Sequence, residues 1–182
     1  MKRSLSVLVA ALFLVTSQNV AAARGAKRYL KKETTVDMRN MNRIFLGWVD
    51  LRPEDWLIHG YDKQAEWNEV VNELNSVFQH SFQTRYVPGR TVGAAKEKSD
   101  DNAAGYDLYI KFADVRIDYD DYYLYASIHF IDPKTNSEYG VIPMRAYYGN
   151  AWGFVNYLRA ALDEVNLKLS VEIAGELPKK RK

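Results

Sequence analysis

The chain has 182 residues, 25 Lys and Arg against 23 Asp and Glu, 13 tyrosines and no cysteine. That length supports one domain with a proper hydrophobic core. Near-balanced charge argues against a nucleic-acid binder driven by bulk charge, and the missing cysteine excludes disulfides and a thiol nucleophile.

The first 23 residues read as a secretory signal peptide. Lys2 and Arg3 form a positive start, Leu5 to Val15 is apolar, and Ala21-Ala22-Ala23 offers small residues for cleavage. The apolar run is short for a membrane span. Cleavage after Ala23 removes Lys2 and Arg3, so the 25 basic side chains fall to 23 and match the 23 acidic ones. An acylated bacterial lipoprotein needs a cysteine after its signal, so the chain is expected to be exported, periplasmic or secreted, and not a lipoprotein. No second long apolar run follows, so no stable membrane insertion is expected once the signal is gone. The absence of disulfides and of Asn-x-Ser/Thr sequons fits a bacterial envelope protein.

Residues 24–42 read as a flexible polar arm with a short extended piece at Thr34–Met38. Arg43 to Leu51 is rich in strand formers and is expected to be the first strand. Arg52 to Gly60 reads as a loop or a short turn of helix, in which Trp56 is a candidate cap on the core. Asp62 is an N-cap candidate, and Trp67, Val70, Val71, Leu74, Val77 and Phe78 then recur at helical spacing. Pro88-Gly89 marks a turn, Thr91 to Lys96 a short strand, and Lys96 to Gly105 a flexible surface loop.

Three strands and a helix follow. Tyr106–Asp118 alternates through Leu108, Ile110 and Phe112, then slips phase to Val115 and Ile117, which a β-bulge near Ala113–Asp114 would absorb. In Tyr122–Asp132, Leu124, Ala126, Ile128 and Phe130 face one way and Tyr123, Tyr125, Ser127 and His129 the other. Glu138–Arg145 is the third strand. Short polar turns at Tyr119-Asp120-Asp121 and Asp132-Pro133-Lys134-Thr135-Asn136 make this a meander rather than a set of parallel βαβ units. Asn150 is an N-cap candidate for a helix over Ala151–Leu169, whose stripe is Phe154, Leu158, Ala161, Leu162, Val165 and Leu169. Val171–Ile173 reads as a last short strand, and 178–182 as a basic tail. The expected fold is one α+β domain over 43–177: a mainly antiparallel sheet of four to five strands with two amphipathic helices packed on it.

Strand, helix, strand, hairpins turning at Asp132-Pro133-Lys134-Thr135, and a closing helix together resemble the periplasmic domains of the TolB N-terminal, curli-secretion and penicillin-binding-protein-activator type. Asn136 stands where those domains usually carry glycine, and their lipoprotein cysteine is missing here. The resemblance covers most of the chain after the signal. It implies an accessory or assembly role in the envelope and no chemistry.

Catalytic patterns are missing. His59, His80 and His129 stand in no ligand spacing, and neither a Gly-x-Ser-x-Gly elbow nor a phosphate-cradling glycine loop occurs. Asp114, Asp118, Asp120 and Asp121 lack the spacing of a calcium loop and read as hairpin residues, so neither metal nor cofactor is expected. The informative feature is aromatic. Tyr123 and Tyr125 cluster with Tyr119 and Tyr122 at one hairpin, and Tyr147, Tyr148 and Trp152 cluster beside Arg145. Such residues serve as cross-strand packing pairs, or as binding hot spots that bury large area behind a polar handle. The sequence points to a non-enzymatic exported binding or assembly protein whose partner is an envelope protein. Glycan binding and a carboxylate-based hydrolase are the alternatives.

Overall fold

The computed structural model of the protein describes residues 33–51, 64–118, 123–147 and 153–175. The expectations for the signal peptide, Trp56, His59, Asp62, the 119–122 turn, Tyr148, Asn150, Trp152 and the tail 178–182 lie outside the described residues.

In chain order the elements are β1 (Arg43–Leu46), α1 (Gln64–Ser81) running into a π-helical turn (Phe82–Tyr86), β2 (Thr91–Ala94), β3 (Leu108–Asp118), β4 (Tyr123–Ile131), β5 (Glu138–Tyr147) and α2 (Phe154–Ala174). The strands form one five-stranded sheet in the order β2-β1-β3-β4-β5. The fold is α+β, as the sequence leads one to expect. The β3-β4-β5 meander is antiparallel throughout. The other half of the sheet is parallel: β1 pairs in that sense with both β2 and β3. A four-residue first strand followed by a helix has no tight turn to fold it back, so its successor returns alongside in parallel.

Patterning explains the layers. Leu124, Ala126, Ile128 and Phe130 of β4 are buried, and they face Ile117, Phe112 and Ile110 of β3 and Ile142, Met144 and Ala146 of β5. Trp67, Val71, Leu74 and Phe78 of α1 and Leu158, Ala161, Leu162, Val165 and Leu169 of α2 close the same core from above. The expected bulge is present. The β3–β4 register shifts between Ala113 and Arg116, and Asp114 takes a left-handed φ of 51° there. The turn after β4 is also built as its residues demand. Asp132 accepts the Lys134 N–H at 2.8 Å, which holds its carboxyl below the ordinary carboxylate value. Asn136 sits at φ 55°, a conformation that asparagine tolerates better than other non-glycine residues.

Two expectations are corrected. Val171–Ile173 is not a strand. It is the last turn of α2, because Ile173 continues the Leu162, Val165, Leu169 stripe. The helix ends where Gly175, at φ 72°, donates its N–H to the Val171 carbonyl. The loop before β3 lies on the surface, as expected, and is anchored by Ala103. Ala95 and Ala103 are buried with Phe45 on the far face of the sheet, under Tyr106 and Tyr109. The described part of the expected arm is tied down as well. Met38 is fully buried, and Arg90 donates to the carbonyls of Met38, Arg39 and Met41. The Glu172 carboxylate, fully buried, accepts the N–H groups of Glu33 and Thr34 and the Thr34 hydroxyl. Arm and helix meet around one internal charge cluster, in which Lys168 lies 2.6 Å from Glu33 and 3.6 Å from Glu172.

Candidate functional site

The helices cover only one face of the sheet. The opposite face divides in two. Over β2 and β1 it is covered by Tyr106 and the loop before β3, with Phe45 and Tyr106 ring centroids 5.3 Å apart. Gly93 of β2 lies under the Tyr106 ring, where a Cβ would overlap it. Over β3, β4 and β5 the polar half of each alternating strand forms the face.

There the cross-strand register brings together four of the six residues expected from sequence. Tyr123 pairs with Tyr147, and Tyr125 with Arg145. The Tyr123 ring lies 5.2 Å from Tyr147 and 6.0 Å from Tyr125, centroid to centroid. The Arg145 guanidinium sits 3.7 Å above the Tyr123 ring and 5.7 Å from the Tyr125 ring. Stacking of that kind uses the ring's negative face and holds the long arginine flat. Tyr148 and Trp152, the other two, lie outside the described residues.

Sequence reasoning missed Arg116. The register shift turns it to the same face, opposite Tyr125, with its guanidinium 4.7 Å from that ring. The phase slip at Ala113–Asp114 was the signal that could have placed it. Farther along, Lys111 pairs with His129 and His129 with Val141, and His129 Nδ1 lies 2.6 Å from Glu138. Val141 is 42% exposed and Tyr147 43%. The strip from Val141 to Tyr147 is thus an apolar and aromatic ridge set with three cations, Lys111, Arg116 and Arg145. Pro143, mid-way along it on the edge strand, has no N–H to give to a neighbouring strand.

The tyrosines thus take the packing role the sequence allowed. They pair across strands, and Tyr123 and Tyr125 hold arginines on a face that no other described element covers. Asp114, from the acidic group, accepts the Ser127 hydroxyl at 3.1 Å beside the bulge. Among the described residues no group of three or more His, Asp or Glu side chains is placed to hold a metal ion.

Compared with protein-family models, curated proteins and solved structures, the chain matches none.

Proposed function

We propose that the protein is a non-enzymatic exported accessory protein of the bacterial envelope that holds a protein partner on the β3–β5 face. The observation that carries this reading is the stack of Arg145 and Arg116 on Tyr123 and Tyr125, next to the exposed Val141 and Tyr147. Tyrosine and arginine dominate interface hot spots because they bury large area at low entropic cost and keep directional donors. The exposed Arg116 guanidinium, held 4.7 Å from the Tyr125 ring, loses less freedom when a partner carboxylate or carbonyl arrives. An acidic or carbonyl-rich protein surface is the complement this face favours. Export is supported by the three-part N-terminal pattern of residues 1–23.

Glycan binding draws less support, because sugar stacking needs an open ring face and Arg145 occupies one face of Tyr123. A hydrolase reading needs two carboxylates across a cleft. Of the residues lining the cleft between α1 and α2, Asp163 alone is a carboxylate, and it is paired with Arg85.

The double variant Y123A/R145A tests the proposal. Surface cross-strand pairs are worth about 0.2–1 kcal/mol each, so the fold survives. Capture of a stoichiometric partner from detergent-solubilised envelope should weaken by roughly thirtyfold, the effect of losing about 2 kcal/mol at a hot spot. Unchanged capture by a folded double variant would remove this face as the binding surface.

A further inference from the structure

The two edges of the sheet are finished differently. At the β5 edge the outward residues are Val141, Pro143, Arg145 and Tyr147, because the Tyr147 N–H leaves the sheet to donate to Glu164 at 3.0 Å and alternate residues of a strand face the same edge. Pro143 has no N–H to offer and that of Tyr147 is taken, so a strand arriving there would find its ladder interrupted.

The β2 edge has no such guard. Thr91 donates its N–H to the Asn42 carbonyl and Ala95 donates to the Leu46 carbonyl, both at 2.9 Å, so Thr91, Gly93 and Ala95 face β1. Val92 and Ala94 therefore face outward, and among the described residues nothing bonds to their N–H and C=O groups. The open stretch is bounded on both sides. Arg90 donates its N–H to the Val87 carbonyl, and Lys96 donates its N–H to the Asp100 carboxylate. The side chains of Val92 and Ala94 pack on the core and are half-buried.

This short edge is complementary to itself. With a twofold axis at Gly93 and the strands antiparallel, Val92 stands opposite the partner's Ala94, and Ala94 opposite the partner's Val92. Both are outward residues, so each pair exchanges N–H···O=C bonds in both directions and every open group is satisfied. Sliding the strands by two residues sets Ala94 against Arg90 or Val92 against Lys96, whose N–H groups are already bonded. The favoured register also lays the apolar Val92 and Ala94 side chains against each other. Gly93 comes to the axis, where the facing Cα atoms lie about 4.5 Å apart with no side chain between them. Charge does not oppose the approach: Arg90 is turned back onto the carbonyls of Met38, Arg39 and Met41, and Lys96 has the Asp100 carboxylate beside it. A self-complementary patch is what a twofold dimer requires.

We propose that the protein pairs with a second copy of itself through β2, antiparallel about Gly93, joining the two sheets into one continuous sheet. This interface is separate from the β3–β5 face and does not depend on it.

Sedimentation equilibrium and amide hydrogen exchange on the purified protein test the pairing. The mass should rise from one chain to two as concentration is raised. Over the same range the Val92 and Ala94 amides should exchange at least about tenfold more slowly, while those of Val141 and Arg145 at the other edge keep their rates. V92P removes an outward donor without breaking an internal bond, and should stay monomeric where the wild type is dimeric. Should V92P fail to fold, the wild-type exchange pattern decides alone. A folded V92P that dimerises like the wild type, or a dimer whose Val92 and Ala94 amides exchange as fast as in the monomer, would overturn the interface. A single-chain mass up to about 1 mM protein would overturn the second copy as occupant.

Discussion

At the residue scale, several side chains hold together pieces of backbone that no ladder could join. Asn75 is fully buried; its Oδ1 accepts the Val49 N–H at 2.9 Å, and its Nδ2 donates to the carbonyls of Val49 and Val71. One amide thereby pins the chain after β1 onto α1, and the Trp67 indole N–H adds a bond to the Leu51 carbonyl at 2.8 Å. Tyr86 does similar work beyond the π-helical turn. Burial, and after it the hydrogen bond to the Asp163 carboxylate, raises its phenol above the ordinary value of 10.0. A raised folded-state value means the neutral phenol stabilises the fold. That contribution is complete below about pH 10, the unfolded value, and is lost as pH climbs from there toward the higher folded one. Y86F has no proton to lose. In denaturant titrations the wild type should be the more stable at pH 7, by about 1.5–3 kcal/mol for a hydrogen bond to a carboxylate, and its advantage should shrink as pH rises above about 10. A gap that stays constant over that range would mean the phenol is not held in its neutral form by the fold.

At the element scale, the N-terminal segment and α2 form one unit. Glu172 has no exposed surface, and three donors from Glu33 and Thr34 converge on it with Lys168 nearby. Removing one member of a buried charged group leaves the others unpaired, at a cost of about 3–5 kcal/mol. E172A should therefore lower the unfolding free energy by that amount and open a tryptic site at Arg39, whereas E172Q, which keeps an acceptor, should do less on both readouts. A stable E172A that resists trypsin would show that Arg90 and Met38 hold the segment unaided. How far such elements can be read from sequence depends on where their information lies. The bulge in β3 was legible because two apolar runs out of phase within one strand have few other resolutions. The α2 stripe was legible at its start and lost at its end, since Val171–Ile173 alone carries strand propensity and only its spacing from Leu169 marks it as helix. The parallel pairing of β1 was legible only in the strand–helix–strand order and not in the strand itself. Four residues carry no directional mark, and partner choice there is made by tertiary packing. The hold on residues 33–42 was invisible for the same reason: Glu33 and Glu172 are 139 positions apart. Of the candidate surface, Tyr123, Tyr125, Tyr147 and Arg145 were legible from composition and alternation. Arg116 was not, because it depends on a register that leaves no local pattern.

At the scale of the whole molecule, the sheet has two unlike faces. Among the described residues, one is sealed by both helices, and the other is covered at its β2–β1 end and left uncovered over β3, β4 and β5. No helix among the described residues is long and apolar enough to cross a membrane. The proposed role requires that partners meet the open half rather than the helical side. Val141 on β5 and Val77 on α1 are exposed to similar degrees, 42% and 45%, on these opposite sides. A photo-crosslinking amino acid placed at each position, in the intact envelope, separates the two. One discrete crosslinked protein species is expected from position 141 and none from position 77. A discrete species from position 77 with nothing from position 141 would contradict it.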